Sequence, residues 1–97
     1  MQIVLYKKAK DTHTHYYEIN DRQLHLFSNY GFTVRWWREG ASSRERHYSF
    51  PSRSERDSAL QRLLQRKYRE GYRVLYHYFR HRLPAALPGL LRRMGGG

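Results

Sequence analysis

The sequence predicts an α+β fold: a small antiparallel β-sheet of about five to six strands, with one amphipathic α-helix at about residues 53–70 packed across it. Three observations carry this. Short β-rich runs separated by turn residues recur as far as Phe50. A single stretch of helical periodicity follows, and strand character returns from Tyr72.

Ile3-Val4-Leu5-Tyr6 is a β-branched and aromatic run and predicts the first strand. Residues 8–14 are polar and loop-like. In His15-Tyr16-Tyr17-Glu18-Ile19, Tyr17 and Ile19 share one face and Tyr16 and Glu18 the other, the alternation of a half-buried strand. Asn20-Asp21-Arg22 predicts a turn. Leu24-His25-Leu26-Phe27 predicts a further strand, and Ser28-Asn29-Tyr30-Gly31 another turn. Phe32 to Arg38 alternates most strongly. Residues 39–43 form a loop, and Arg46 to Phe50 predicts a strand that Pro51 stops.

Ser52 predicts a helix N-cap, with Glu55 three residues on as its capping-box partner. Leu60, Leu63, Leu64 and Tyr68 recur at helical spacing, while Arg56, Arg62, Arg66 and Arg69 fill the other faces. Gly71 predicts the stop. Tyr72 to Phe79 reads as strand, with Val74, Tyr76 and Tyr78 on one face. Residues 80–97 hold two of the three prolines and four of the seven glycines, and Pro88 stands where it would interrupt a helix. The expected division is a domain over 1–79 and a flexible basic Pro/Gly/Leu tail over 80–97, with one helical turn docked at most.

Composition narrows the function. A chain of 97 residues has room for one small domain. Aromatic residues are 15% of it, too many for a disordered basic tail. The absence of cysteine excludes a disulfide framework, a thiolate zinc site and a cysteine nucleophile. No apolar run reaches the roughly 18 residues of a membrane helix, and no basic segment precedes the first apolar run as in a signal peptide. A soluble cytoplasmic domain that seeks anions is expected. No GxSxG, phosphate loop, HExxH or CxxC motif is present, the six His are scattered, and the acids form no catalytic pair. Neither catalysis, nor a metal, nor a cofactor, nor a small-molecule substrate is therefore expected.

The net charge of +11 is unevenly placed. Residues 1–34 carry four bases against three acids, and residues 35–97 carry fifteen against five. Fifteen of the nineteen bases are Arg, whose planar fork suits phosphate oxygens and stacks on rings. The basic half opens at Val34-Arg35-Trp36-Trp37-Arg38-Glu39-Gly40. Trp36 shares a strand face with Phe32 and Val34, so alternation assigns it to the core and leaves Trp37 exposed. An exposed ring beside guanidinium groups can stack on a base or ribose while Arg holds phosphates. The plainer reading is one core Trp and one rim Trp. Arg35, Arg38, Arg44 and Arg46 flank the pair, and Arg35 and Arg38 leave a regular strand on opposite faces, so the patch must wrap the strand end.

The sequence resembles the WGR domain family over about residues 3–78. Trp36-Trp37-Arg38-Glu39-Gly40 stands against a pattern of Trp-Gly-Arg-hydrophobic-Gly. Tyr16-Tyr17-Glu18-Ile19 is similar to the family's aromatic-rich strand. Tyr48 and Phe50, the helix begun by Ser52, Glu55 and Ala59, and the ending Lys67-x-x-x-Gly71-Tyr72 follow in the family's order. The sequence departs from the pattern in three places: Trp37 replaces the central Gly, Ala41-Ser42-Ser43-Arg44 stands where a second Gly is common, and Thr14-His15 stands where the family has Asn-Lys. The resemblance implies an antiparallel sheet with one helix across it. It also implies contact with DNA near a strand break, close to the 5′ end, with the motif Trp on the terminal nucleotide and the motif Arg supporting contacts. By position these roles fall to Trp36 and Arg38, and the helix ending adds Lys67 and Tyr72.

Two readings stand. The first is a non-enzymatic module binding the DNA phosphate backbone, at strand ends or nicks, through Arg35, Trp36, Trp37, Arg38, Arg44, Arg46, Lys67 and Tyr72. The second is a protein–protein interaction module that uses exposed aromatics such as Trp37, Tyr30, Tyr72, Tyr76 and Tyr78, with the charge serving solubility. Oligomeric state is open, since an unpaired edge strand can dimerise.

Overall fold

A computed structural model describes residues 1–10, 13–21, 30–79 and 87–95 of the chain. These form β1 (Gln2–Lys8), β2 (Thr14–Asn20), β3 (Tyr30–Arg38), β4 (Arg44–Phe50), α1 (Arg53–Arg69), β5 (Arg73–Tyr78) and α2 (Leu87–Gly95). The strands make one antiparallel sheet in the order β4-β3-β2-β1-β5. The fold is α+β, as the sequence predicts. The strand expected at Leu24–Phe27 lies outside the described residues.

One face of the sheet is apolar. Ile3 and Leu5 of β1, Tyr17 and Ile19 of β2, and Phe32 and Val34 of β3 are all buried there. The pairings Leu5 with Tyr17, Ile3 with Ile19, and Ile19 with Val34 keep them on that face, because cross-strand partners point the same way. Leu60, Leu63 and Leu64 of α1 pack onto them. Ser52 starts the helix: its Oγ accepts from the Glu55 N–H at 3.1 Å.

Gly71 ends it, at φ +103°, a left-handed conformation that suits a residue without Cβ. The Gly71 N–H donates to the Tyr68 carbonyl and the Tyr72 N–H to the Lys67 carbonyl, both at 3.0 Å. This is the Schellman closure, and it satisfies carbonyls that the helix end would otherwise strand.

The expectation for residues 80–97 needs correction at 87–95. These residues form α2, and Leu87, Leu90, Leu91 and Met94 are buried in the same core as the α1 leucines. The physical reason is width. Five strands span about 19 Å, and a helix with its side chains covers about 10 Å. α1 packs over β3 and β4, so the β5 side of the apolar face needs a second cover, and α2 packs against β5 and α1. Pro88 does not break α2 because it is the second residue, where no intrahelical N–H bond is lost.

Leu64 of α1 is fully buried and Leu90 of α2 is 2% exposed. Leu64→Ala and Leu90→Ala should each cost about 2–5 kcal/mol in urea unfolding with an unchanged slope. A Leu90→Ala cost near zero would remove α2 from the cooperative core.

Candidate nucleic-acid interface

At one end of the sheet, the start of β2, the end of β3 and the start of β4 meet the C-terminus of α1. Two adjoining cavities open there. The first, of about 200 Å³, is walled by Tyr17, Trp36, Tyr48 and Tyr72, with Lys67 and Arg46 at its border. The second, of about 400 Å³, shares Trp36 and Tyr72 and adds Tyr16, Trp37, Arg38 and Arg44.

The β2–β3 register builds the walls. Tyr17 lies opposite Trp36, and their rings stack with centroids 6.3 Å apart. Trp36 is half-buried and packs on the core at one side while lining both cavities at the other. Tyr16 lies opposite Trp37, and these rings stack at 5.3 Å on the far face of the sheet. The Arg35 guanidinium sits over Trp37 at 5.1 Å. Trp37 is therefore half-buried where alternation alone left it exposed, because Tyr16 and Arg35 cover it.

The helix end builds the floor. The Schellman closure ties Tyr72 to Lys67 through the backbone, so the two residues reach the cavity together. The Lys67 ammonium lies 4.4 Å from the Tyr17 ring centroid and 5.4 Å from that of Tyr72. Glu70, three residues on, holds it at 3.2 Å. Lys7 of β1 approaches the same ring of Tyr72, at 5.1 Å, and donates to the Glu70 carbonyl. At the rim, the Arg46 guanidinium lies 5.9 Å from the Tyr48 ring. The turn after β3 closes with the Ala41 N–H on the Arg38 carbonyl at 2.9 Å, with Gly40 at φ +81°. That turn brings Arg38 and Arg44 to the same cavity.

Seven of the eight residues expected at the site line one or both cavities: Trp36, Trp37, Arg38, Arg44, Arg46, Lys67 and Tyr72. Arg35 does not. It projects from the opposite face and pairs with Glu18 at 3.3 Å. Arg53, Arg62, Arg66 and Arg69 are exposed on α1 and line neither cavity. Sequence reasoning missed Tyr17, Tyr48 and Glu70. Tyr17 was legible only as a core residue, and its role depends on lying opposite Trp36. Glu70 carried a usable signal, an i,i+3 spacing from Lys67. Of the aromatics proposed as exposed, Tyr72 is buried, Tyr30 half-buried, and Tyr76 and Tyr78 exposed.

Burial first, and then the neighbouring Tyr48 hydroxyl, push the Tyr17 phenol up to about 12 against the opposing pull of Arg66. Burial, then Glu70, also raises Tyr72. Both stay neutral donors at ordinary pH. Among the described residues no group of three or more His, Cys, Asp or Glu could hold a metal ion, and no helix is long and apolar enough to cross a membrane.

This end of the sheet thus combines stacked aromatic rings with one held ammonium and several exposed guanidinium groups. The model of the WGR domain matches residues 1–78. The chain belongs to the WGR domain family, in general a family of nucleic-acid-binding modules. Neither the curated proteins nor the solved structures gave a match to the chain.

The Tyr17 shift has a measurable consequence. Between about pH 10 and 12 the folded chain keeps a proton that the unfolded chain releases, so stability should fall as pH rises through that window. Urea midpoints across the window should show the fall, and Tyr17→Phe should flatten it. An equal slope in the variant would mean that another group titrates there.

Proposed function

We propose that the chain binds DNA along the phosphate backbone, with a preference for strand ends or nicks carrying a 5′-phosphate. One observation carries this reading: Arg38, Arg44, Arg46 and Lys67 converge on two cavities that share Trp36 and Tyr72. Guanidinium and ammonium groups would hold phosphates, and Trp36 would pack on the terminal nucleotide. A ring recessed behind a rim of arginines suits a terminus better than the side of an intact duplex, whose stacked bases leave no ring face free. Trp37, in place of the motif's glycine, would stand beside the entry on the Tyr16 side. Arg35 contributes indirectly, by covering Trp37. The domain would end near residue 79 in its binding part, with α2 completing the core.

With four cations on phosphates, the logarithm of affinity should fall against that of salt with a slope of about −3.6. Arg44→Ala should reduce the slope by about 0.9 and weaken all duplexes alike. A 5′-phosphorylated nick should bind more tightly than an intact duplex of equal length. Equal affinity would leave only general phosphate binding, and no binding at about 0.15 M salt would defeat the reading.

A further inference from the structure

Among the described residues, the large apolar side chains most open to solvent all lie on β5: Leu75 is 59% exposed, Tyr76 50% and Tyr78 52%. β5 is an outer strand, paired on one side with β1. The outer side of such a strand carries a row of backbone N–H and C=O groups, on which another strand can pair. The opposite edge of the sheet is guarded. There β4 carries Arg44, Glu45 and Arg46, the charged kind of edge that discourages pairing. From Val74 to its end at Tyr78, β5 has no Lys, Arg, Asp or Glu, in a chain where these are 28% of all residues.

We propose that β5 is a self-association edge, pairing antiparallel with β5 of a second copy to join two five-stranded sheets into one. Charge selects the occupant. An acidic partner strand would find no Lys or Arg between Val74 and Phe79 to pair with. A nucleic acid would find no free guanidinium on β5 itself, since Arg73, the one arginine of that strand, lies over the Tyr68 ring at 4.7 Å. A second copy meets a strand as uncharged as its own. The sheet order sets β4, with its arginines, four strands away, about 19 Å, so those charges are largely screened at this edge. The register slips between Val4 and Leu5 of β1, and Leu75 is the extra residue of that bulge. Beyond it, β5 runs regularly. A two-fold axis at His77 sets Tyr76 opposite Tyr78 of the second copy and Tyr78 opposite its Tyr76, two aromatic cross-strand pairs of the kind that stabilise sheets.

The absence of cysteine makes a covalent test clean. Residues directly opposite in an antiparallel pair have Cα atoms about 4.5–5.5 Å apart, within disulfide range. His77→Cys should therefore cross-link into dimers under mild oxidation, and Ser43→Cys, in the β3–β4 loop, should not. A six-residue edge makes a small interface, so the unmodified chain is examined by sedimentation equilibrium up to about 0.5 mM. A dimer is expected whose association strengthens with salt, as screening lowers repulsion. Association bridged by nucleic acid would weaken with salt instead, and that result would overturn the proposal. The double variant Leu75→Lys/Tyr78→Lys, with a retained circular-dichroism spectrum, should be monomeric. The proposal also fails if the unmodified chain stays monomeric throughout, if the double variant still dimerises, or if Ser43→Cys cross-links as readily as His77→Cys.

Discussion

The pairing register of β2 with β3 sets the arrangement at the groove. Tyr17 opposite Trp36 and Tyr16 opposite Trp37 put one aromatic stack on each face of the sheet. Side chains alternate with a period of two, so a slip of one residue would send Trp36 to the far face and empty the cavity of its central ring. Two features hold the register. On the helix side, Ile19, Phe32 and Val34 can be buried together only as they stand. On the far side, Glu18 is 6% exposed and accepts from Gln2 Nε2 at 2.6 Å while pairing with Arg35. A slipped strand would leave that buried carboxylate without its cation, which is among the costlier errors a fold can make.

The second constraint is coverage. α1 leaves β4 at one edge of the sheet and delivers β5 to the other, and its 17 residues give it about 25 Å of length for the crossing. The crossing leaves apolar surface on the β1–β5 side, where α2 completes the layer. The groove therefore lies where α1 ends and the sheet continues past it. Tyr72 and Lys67 stand there because the helix terminates there, so helix termination and site construction are the same local event.

Most of the architecture could be read from alternation and turn chemistry. Ser52, Glu55 and Gly71 mark the ends of α1 within a residue, because caps are local and depend on side-chain hydrogen bonds and backbone handedness. α2 was not readable in the same way. Pro88 and Gly89 argue against a helix locally, and only the uncovered width of a five-stranded sheet calls for one. The arginines of the site were legible as a charge run, and alternation puts Arg35 and Arg38 on opposite faces, but which of them reach the cavities was not legible. Arg35 and Arg46 look alike in sequence, and the strand register separates them: Arg46 lies opposite Val34 on the helix side, while Arg35 is on the far face and pairs with Glu18, 17 residues away. Trp37 shows the same limit: alternation gives its face, while its cover comes from Tyr16 on another strand.

Lys67 differs in kind from the arginines around it. Its ammonium is held by Glu70, by the faces of Tyr17 and Tyr72, and by a backbone closure at its own carbonyl. A free lysine side chain carries about 2 kcal/mol of rotamer entropy, and much of that is already lost here. Arg44 and Arg46 are exposed and keep theirs. The groove thus has one stationary charge and a set of moving ones. An anion entering it would find a fixed point of reference at the floor, and the rim would order around the anion afterwards.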